Sequence, residues 1–268
     1  IGLYFAIFWL YAFFERYEIF REESRASGSR KPSRYPKVSV IIPAYNAAAT
    51  IRDCVLSAVK LDYPRDKLEV IVVNDGSTDS TAEVVNGLIS SCKGTDIKLI
   101  NQENLGKGAA VNNGIKTCSG EFFACLDSDS FVEPETLKKM LCIFEQNGLD
   151  VAIVTPAMKV FQPKSLMQKF QRIEYVVTLF FNRIVSHFDA LYVAPGPFSL
   201  YRISTMREVG GFDEGNLTED QEIGYRMQKH HYRLKHCFDA YVYTVAPSTV
   251  PQLYRQRSRW WRGSLLNF

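Results

Sequence analysis

The chain predicts an α/β fold in which a mostly parallel central sheet is flanked by helices. Three observations carry this. Short apolar, β-branched runs recur along the sequence, helical periods separate them, and the polar turn residues gather where the runs end. Continuous apolar strands alternating with helices mean a sheet covered on both faces. Such a sheet binds ligands beyond the carboxyl ends of its strands.

The first element is the uncharged run IGLYFAIFWLYAFF, residues 1–14. A spanning helix needs about 20 apolar residues, so residues 1–20 read as the remnant of a transmembrane anchor. A signal peptide would show an Ala-x-Ala-like cleavage site, which the flank lacks; a buried core helix is the other competing reading. Arg16, Arg21, Arg25, Arg30, Lys31, Arg34 and Lys37 follow. Residues 21–37 form a basic linker, polar from Ser24 to Pro36, and the Lys/Arg excess puts this side in the cytoplasm.

From residue 38 the spacing predicts strands at 38–42, 69–73, 97–100, 121–126 and 151–154. Helices are predicted at 48–60, 80–92, 107–117, 133–147, 165–186 and 221–231. Ser80 with Glu83, Ser130 with Glu133, and Thr218 with Gln221 have capping-box spacing. In the long helix Leu166, Phe170, Ile173, Val177, Phe180 and Ile184 form one stripe, read as the face that packs on the sheet. Residues 38–250 are taken as the main domain, and the Arg- and Trp-rich 251–268 as the start of an interfacial helix.

Composition narrows the classes. With 268 residues, 46% hydrophobic, the chain can bury a large core, and a net charge of +3 is too small to argue for nucleic acid. Its six cysteines form no CxxC pair and read as reduced core thiols. The sequon Asn216-Leu217-Thr218 overlaps a candidate catalytic segment and reads as a chance match.

The polar motifs sit at strand ends. Pro43-Ala44-Tyr45-Asn46 closes the first strand. Asp75, before Gly76, closes the second, where it can accept from a base or ribose or simply form an Asx turn. Asp127 and Asp129 lie two apart at the end of the fourth strand. Carboxylates that converge there repel unless a cation sits between them, and a divalent ion on a diphosphate supplies one. Asp220 begins a helix, where the dipole keeps an acid ionised, as a general base requires. Arg255 to Arg262 reads either as a basic membrane flank or as Arg for phosphate and Trp for a sugar face.

In order, VSVIIPAYN, VIVVNDGSTDST, NLGKGAAVNNGI, ACLDSDS, GPFSLYR, VGGFDE, TEDQEIGYRM and QRSRWWRG resemble family-2 glycosyltransferases. The likeness is to their membrane-integrated polymerising branch, the cellulose, chitin, hyaluronan and poly-N-acetylglucosamine synthases. The resemblance implies a GT-A fold and an inverting transfer from a nucleotide-sugar, UDP-linked by preference, to a glycan or lipid-linked acceptor at a membrane. By motif, Pro43, Ala44, Tyr45, Asp75, Lys107, Asp127, Asp129, Gln256 and Arg259 would hold the donor. Asp127 and Asp129 would hold Mg²⁺ or Mn²⁺, and Asp220 would be the base. Gly196, Pro197, Glu219 and Trp260 would face the acceptor. Two departures stand out: Ala47 where many relatives have Glu, and Val245-Ala246-Pro247 where many carry an acid. The alternatives are a single-sugar transferase and a non-catalytic nucleotide-sugar sensor. A sugar nucleotidyltransferase would need a Gly-rich, basic loop that PAYNAAAT does not provide.

Overall fold

The computed structural model describes residues 2–26, 31–92 and 94–267. Arg30 of the basic flank lies outside them. The apolar run forms α1 (Gly2–Glu15), and a half-polar helix α2 (Tyr17–Ala26) follows directly. The segment read as linker from Ser24 is therefore helical to Ala26. The reason is local: Phe20 is buried, and Arg183 donates to its carbonyl at 2.6 Å. No described helix is long and apolar enough to cross a membrane.

The expected first half is present. Strands β1 (Val38–Ala44), β2 (Leu68–Asp75), β3 (Asp96–Gln102) and β4 (Phe122–Cys125) alternate with helices α3 (Ile51–Val59), α4 (Thr81–Ser91) and α5 (Lys107–Thr117). β1 pairs in parallel with β2 and β4, and β2 in parallel with β3. Every residue of β1 and β2 is buried, because helices cover both faces. Val40 and Ile42 face a core shared with Val55 and Ala58 of α3, while Ile41 faces Val111 and Ile115 of α5 on the other side.

The second half corrects the mostly parallel sheet to a mixed one. It comprises β5 (Ser130–Val132), α6 (Thr136–Asn147), β6 (Val151–Val160), α7 (Leu166–His187), β7 (Ser199–Arg202), α8 (Ile203–Glu208), α9 (Glu219–Lys229), β8 (Arg233–Thr244) and α10 (Val250–Leu266). The eight strands run β3-β2-β1-β4-β7-β6-β8-β5. β7 is antiparallel to both β4 and β6, and β5 to β8, while β6 and β8 are parallel. The antiparallel β7 brings the loop before it back over the carboxyl end of β4.

Three local expectations fail. Ser80 and Thr218 begin helices without a side-chain cap, and Ser130 lies in a strand ahead of a helix that starts at Thr136. Capping boxes occur instead at Ser165 with Gln168 and at Thr249 with Gln252. The stripe on α7 is also turned about. Leu166, Phe170, Ile173, Val177 and Phe180 are exposed, and the helix meets the sheet side through Gln171 and Tyr175. Only Ile184 is buried, under Ala12 and Phe20. All six cysteines are free thiols.

At the opposite end from the loops, Glu69 is fully buried and accepts from Ser39, Lys98 and Ser119 at 2.5, 2.8 and 2.7 Å. It ties β1, β2, β3 and the lead into β4 together. Burial pushes its carboxyl up, but these donors outweigh it and bring it from 4.5 to about 2. The stabilisation is thus complete above about 4.5 and is lost as pH falls toward 2. Glu69→Gln should cost about 1–3 kcal/mol at neutral pH. Urea melts at neutral and acid pH should show a flatter dependence for the variant; parallel curves would remove this role for Glu69.

Candidate active site

Two laced turns form one wall. Asn46, in the left-handed region at φ 49°, donates its amide to Ser77 Oγ at 3.0 Å, and its Oδ1 accepts from Thr78 at 2.9 Å. Ala47 donates to Thr81 Oγ1 at 2.9 Å and Ala48 to Asp79 at 3.0 Å. Pro43 and Ala44 are buried at the strand end, and Tyr45 projects its ring outward. The position where many relatives carry Glu thus holds a buried Ala47 whose backbone braces the next turn.

Asp75, nearly fully buried, accepts from Gln102 Nε2 at 2.8 Å and from the amides of Leu105 and Gly106 at 2.9 Å each. Its Oδ2 takes only one of these bonds and can accept another. Gly76 must be glycine: its φ is +70°, and a Cβ would lie 2.7 Å from the Asn104 amide.

The loop that Asp75 holds leads straight into Lys107. Its ammonium contacts Asp127 Oδ1 at 2.8 Å and Glu219 Oε1 at 2.9 Å. Desolvation alone would lower the lysine, but Asp127 and Glu219 hold it well above its ordinary value. Gly196 lies directly above. A Cβ there would stand 2.6 Å from Lys107 Nζ and 2.8 Å from Asp127 Oδ2. Phe198, a bulky residue at φ 62°, donates its amide to Cys125 at 2.6 Å and pins this Gly196-Pro197 turn to β4. Glu219 is buried beneath Lys107.

Asp129 is pushed up by burial and by Asp127, while a bond from Ser130 opposes. Asp129 is therefore a carboxyl short of positive charge beside an Asp127 that already holds Lys107. Among the described residues, no cluster of three or more His, Cys, Asp or Glu could hold a metal by itself. A cation on this pair would need further oxygens from substrate and water, the habit of Mg²⁺-type sites.

Asp220 opens α9 and lines a cleft of 550 Å³ together with Trp260 of α10. Burial, then Glu219 beside it, push its carboxyl up to about 6, against the pull of Lys107. α10 fastens this segment. Ser264 donates to Gln221 at 2.8 Å and Asn267 to Thr218 Oγ1 at 3.0 Å, while Asn216 of the sequon is tied to Asn267. Gln256 accepts from Gln171 at 2.9 Å, and among the described residues the exposed Arg259 reaches only the Leu217 carbonyl, at 3.5 Å.

The structure thus brings Lys107, Asp127, Gly196 and Glu219 into contact, and puts Asp220 and Trp260 in one cleft. Asp75 and the Pro43–Asn46 turn do not line that cleft; Asp75 joins the group through the Leu105 and Gly106 amides ahead of Lys107. Arg257, read within the Arg255 to Arg262 segment as a phosphate or membrane-flank arginine, has its guanidinium 4.5 Å from the Trp260 ring and pairs with Glu174 at 2.5 Å. Sequence reasoning passed over Tyr175, which lines the same cleft. Its signal was its place on α7 off the stripe taken for the core.

Comparison with known proteins adds three findings. Residues 39–210 match the model of glycosyl transferase family 2. Poly-β-1,6-N-acetyl-D-glucosamine synthase of Staphylococcus epidermidis is 32% identical over 228 residues, which cover 84% of this chain and 54% of that protein. The enzyme of that name from Staphylococcus aureus strain COL is 29% identical, over 97% and 63%. The chain thus spans between about half and two thirds of these relatives. Among solved structures, the mannosyltransferase PcManGT of Pyrobaculum calidifontis, in complex with GDP-Man and Mn²⁺, has a TM-score of 0.72 at 23% identity, covering 94% of this chain and 71% of that one. TarS 1–349 of S. aureus in complex with UDP-GlcNAc has a TM-score of 0.61 at 25% identity, covering 80% and 59%.

The charge arrangement makes a direct prediction. In the metal-free protein, carbon NMR of the Asp220 carboxyl should give a titration midpoint near 6, as its environment dictates. Lys107→Met should move that midpoint higher, since it removes the cation that favours the ionised form. A midpoint in the ordinary aspartate range that ignores residue 107 would refute this electrostatic account.

Proposed function

Because this chain belongs to glycosyl transferase family 2, we propose that it transfers a sugar from a UDP-linked donor to a glycan with inversion, building a β-linked polymer. One observation carries the reading: the Asp220 carboxylate shares a cleft with Trp260, while Asp127 is joined to Glu219, its sequence neighbour, through Lys107. A carboxyl raised toward neutrality is suited to take a proton near physiological pH.

Asp220 accepts the proton of the acceptor hydroxyl as that oxygen bonds to the anomeric carbon. The bond from that carbon to the diphosphate breaks on the opposite face, so the centre inverts and no covalent enzyme intermediate is needed. Trp260 offers its ring to the acceptor sugar. Arg259 is free to turn toward the leaving diphosphate, with Gln256 one helical turn before it. Asp127 and Asp129 would hold Mg²⁺ or Mn²⁺, which when bound neutralises charge on the diphosphate. Asp75, with the turn at Pro43, Ala44 and Tyr45, faces the nucleotide.

N-acetylglucosamine is the preferred sugar, supported by what the staphylococcal relatives make and by TarS holding UDP-GlcNAc. A membrane setting is supported by the exposed apolar face of α7 and by Tyr254, Trp261 and Leu265 exposed on α10, and the cytoplasmic side by the Lys/Arg excess that follows the apolar run. α1 lies against α7 through Trp9 on Phe181 at 5.3 Å and Phe13 on Phe180 at 5.4 Å. It is read as the inner end of an anchor. A lipid-linked acceptor is the secondary possibility within the same chemistry.

The test is donor turnover by the full-length, membrane-embedded protein with a panel of UDP- and GDP-sugars. One donor should be consumed with Mg²⁺ or Mn²⁺, and EDTA should stop it reversibly. Asp220→Asn should lower transfer about 10³-fold while nucleotide still binds. If nucleotide binds but nothing is turned over, and the variant behaves like its parent, the protein is a sensor instead.

A further inference from the structure

A separate cavity of 320 Å³ opens at the other end of the sheet, where β1 and β4 begin. Pro36, Phe122 and Arg202 line it from the sheet, and Leu141, Phe144 and Leu149 from α6 and the turn after it. β4 runs away from Phe122 toward Asp127, about 16 Å along the strand. The cavity shares no lining residue with the cleft that holds Asp220.

Arg202 ends β7 and is only 8% exposed. Its guanidinium carbon lies 5.0 Å from the centre of the Phe122 ring and 5.1 Å from that of Phe144. Its Nε has one long bond, 3.5 Å to the Val151 carbonyl. Among the described residues its two terminal nitrogens make no hydrogen bond or ion pair, and neither is shut off from the cavity. The nearby acids are already engaged. Glu121 gives both oxygens to Arg34, at 2.5 and 2.7 Å. Glu145 accepts from the amides of Ser33 and Arg34 and from the Ser33 hydroxyl.

A cation taken from water without an anion is costly, and an apolar side chain of similar volume would fill the same place without that cost. Burial accordingly pulls Arg202 below its ordinary value, with Glu121 opposing and Arg34 adding repulsion. The two aromatic faces offset part of the cost. They also hold the guanidinium still, so its fork is presented before any ligand arrives.

Charge and shape then narrow what fits. One unpaired guanidinium balances one negative charge, and its planar fork matches a carboxylate through two parallel bonds. A doubly charged phosphate would need a second cation, and Arg34 is held by Glu121. The remaining wall at Pro36, Leu141, Phe144 and Leu149 is apolar, and the volume is at the small end for ligand pockets.

We propose that this cavity is a second ligand site, which binds a small monocarboxylate with an apolar body, the carboxylate on Arg202 and the body against Leu141 and Phe144. The site goes beyond sugar transfer and does not depend on it.

The probe is 4-fluorophenylacetate, followed by fluorine NMR with the full-length protein in lipid nanodiscs and empty nanodiscs as the blank. The parent should bind it saturably, and Arg202→Met should bind it about tenfold more weakly, the loss of a charged hydrogen-bonded contact. No saturable binding by the parent, or equal binding by the variant, overturns the proposal. The neutral 4-fluorophenylacetamide and the dianionic 4-fluorobenzyl phosphate should both bind more weakly than the carboxylate. Equal or tighter binding of either overturns the monocarboxylate class.

Two further measurements fix the place without relying on a change at Arg202. Leu149 is 79% exposed at the rim, so Leu149→Cys in a Cys92→Ser background can carry a nitroxide without disturbing the core. That label should broaden the bound probe's signal, and an unbroadened signal overturns the location. Excess UDP with Mn²⁺ should leave the probe bound. Displacement would put the probe in the donor site and overturn the second site, while sugar transfer itself is judged separately by donor turnover.

Discussion

Lys107 sits where Asp127 and Glu219 would otherwise face each other, with Asp220 and Asp129 close enough to feel the same charge. Carboxylates gathered away from water repel, and without a cation they would take up protons or push their elements apart. The ammonium lets the end of strand β4 and the start of helix α9 meet across these two acids. It also spans the two halves of the chain, because Asp127 ends the parallel part and Glu219 belongs to the helix beyond β7.

That contact depends on others further out. Asp75 binds the amides of Leu105 and Gly106, which fixes the start of α5 and so aims Lys107. From the opposite side Gly196 contributes no side chain, and Phe198 in its strained conformation keeps the turn in place. Asp75 is thus connected, through one short loop and one lysine, to the segment that carries Asp220. Lys107 therefore has a role the motif did not disclose: its bonds go to acids of the protein, and any phosphate contact would share the same ammonium.

The parallel half was legible because its strands are continuous apolar runs, and buried strands have no other composition open to them. The strand-end acids were legible for the same reason, since each follows directly on such a run. β5 and β7 were missed because SFV and SLYR are too short to show a period. β8 was missed because RLKHCFDAYVYT mixes charge into a strand near the sheet edge. Missing them made the sheet look more parallel than it is. Capping spacing misled at Ser80, Ser130 and Thr218, where the chain found other bonds, as when Asn216 took the Thr218 amide. The same spacing went unused at Ser165 and Thr249, where both halves of the box form. The pairing of Lys107 with Glu219 lay beyond any linear reading, because the two are far apart in sequence and meet only when β7 turns back.

α7 shows why a correct period can still give the wrong side. Periodicity records that a helix has two unlike faces, but the medium against each face comes from the rest of the molecule. Here the sheet side of the helix is taken by Gln171 and Tyr175, and the part next to them opens on the cleft. The apolar residues on the other side lose nothing when a nonpolar phase covers them. Both faces of the helix are thus set by their neighbours, the sheet and α10 on one side and α1 on the other. α1, itself nearly all apolar, already occupies part of the outer face.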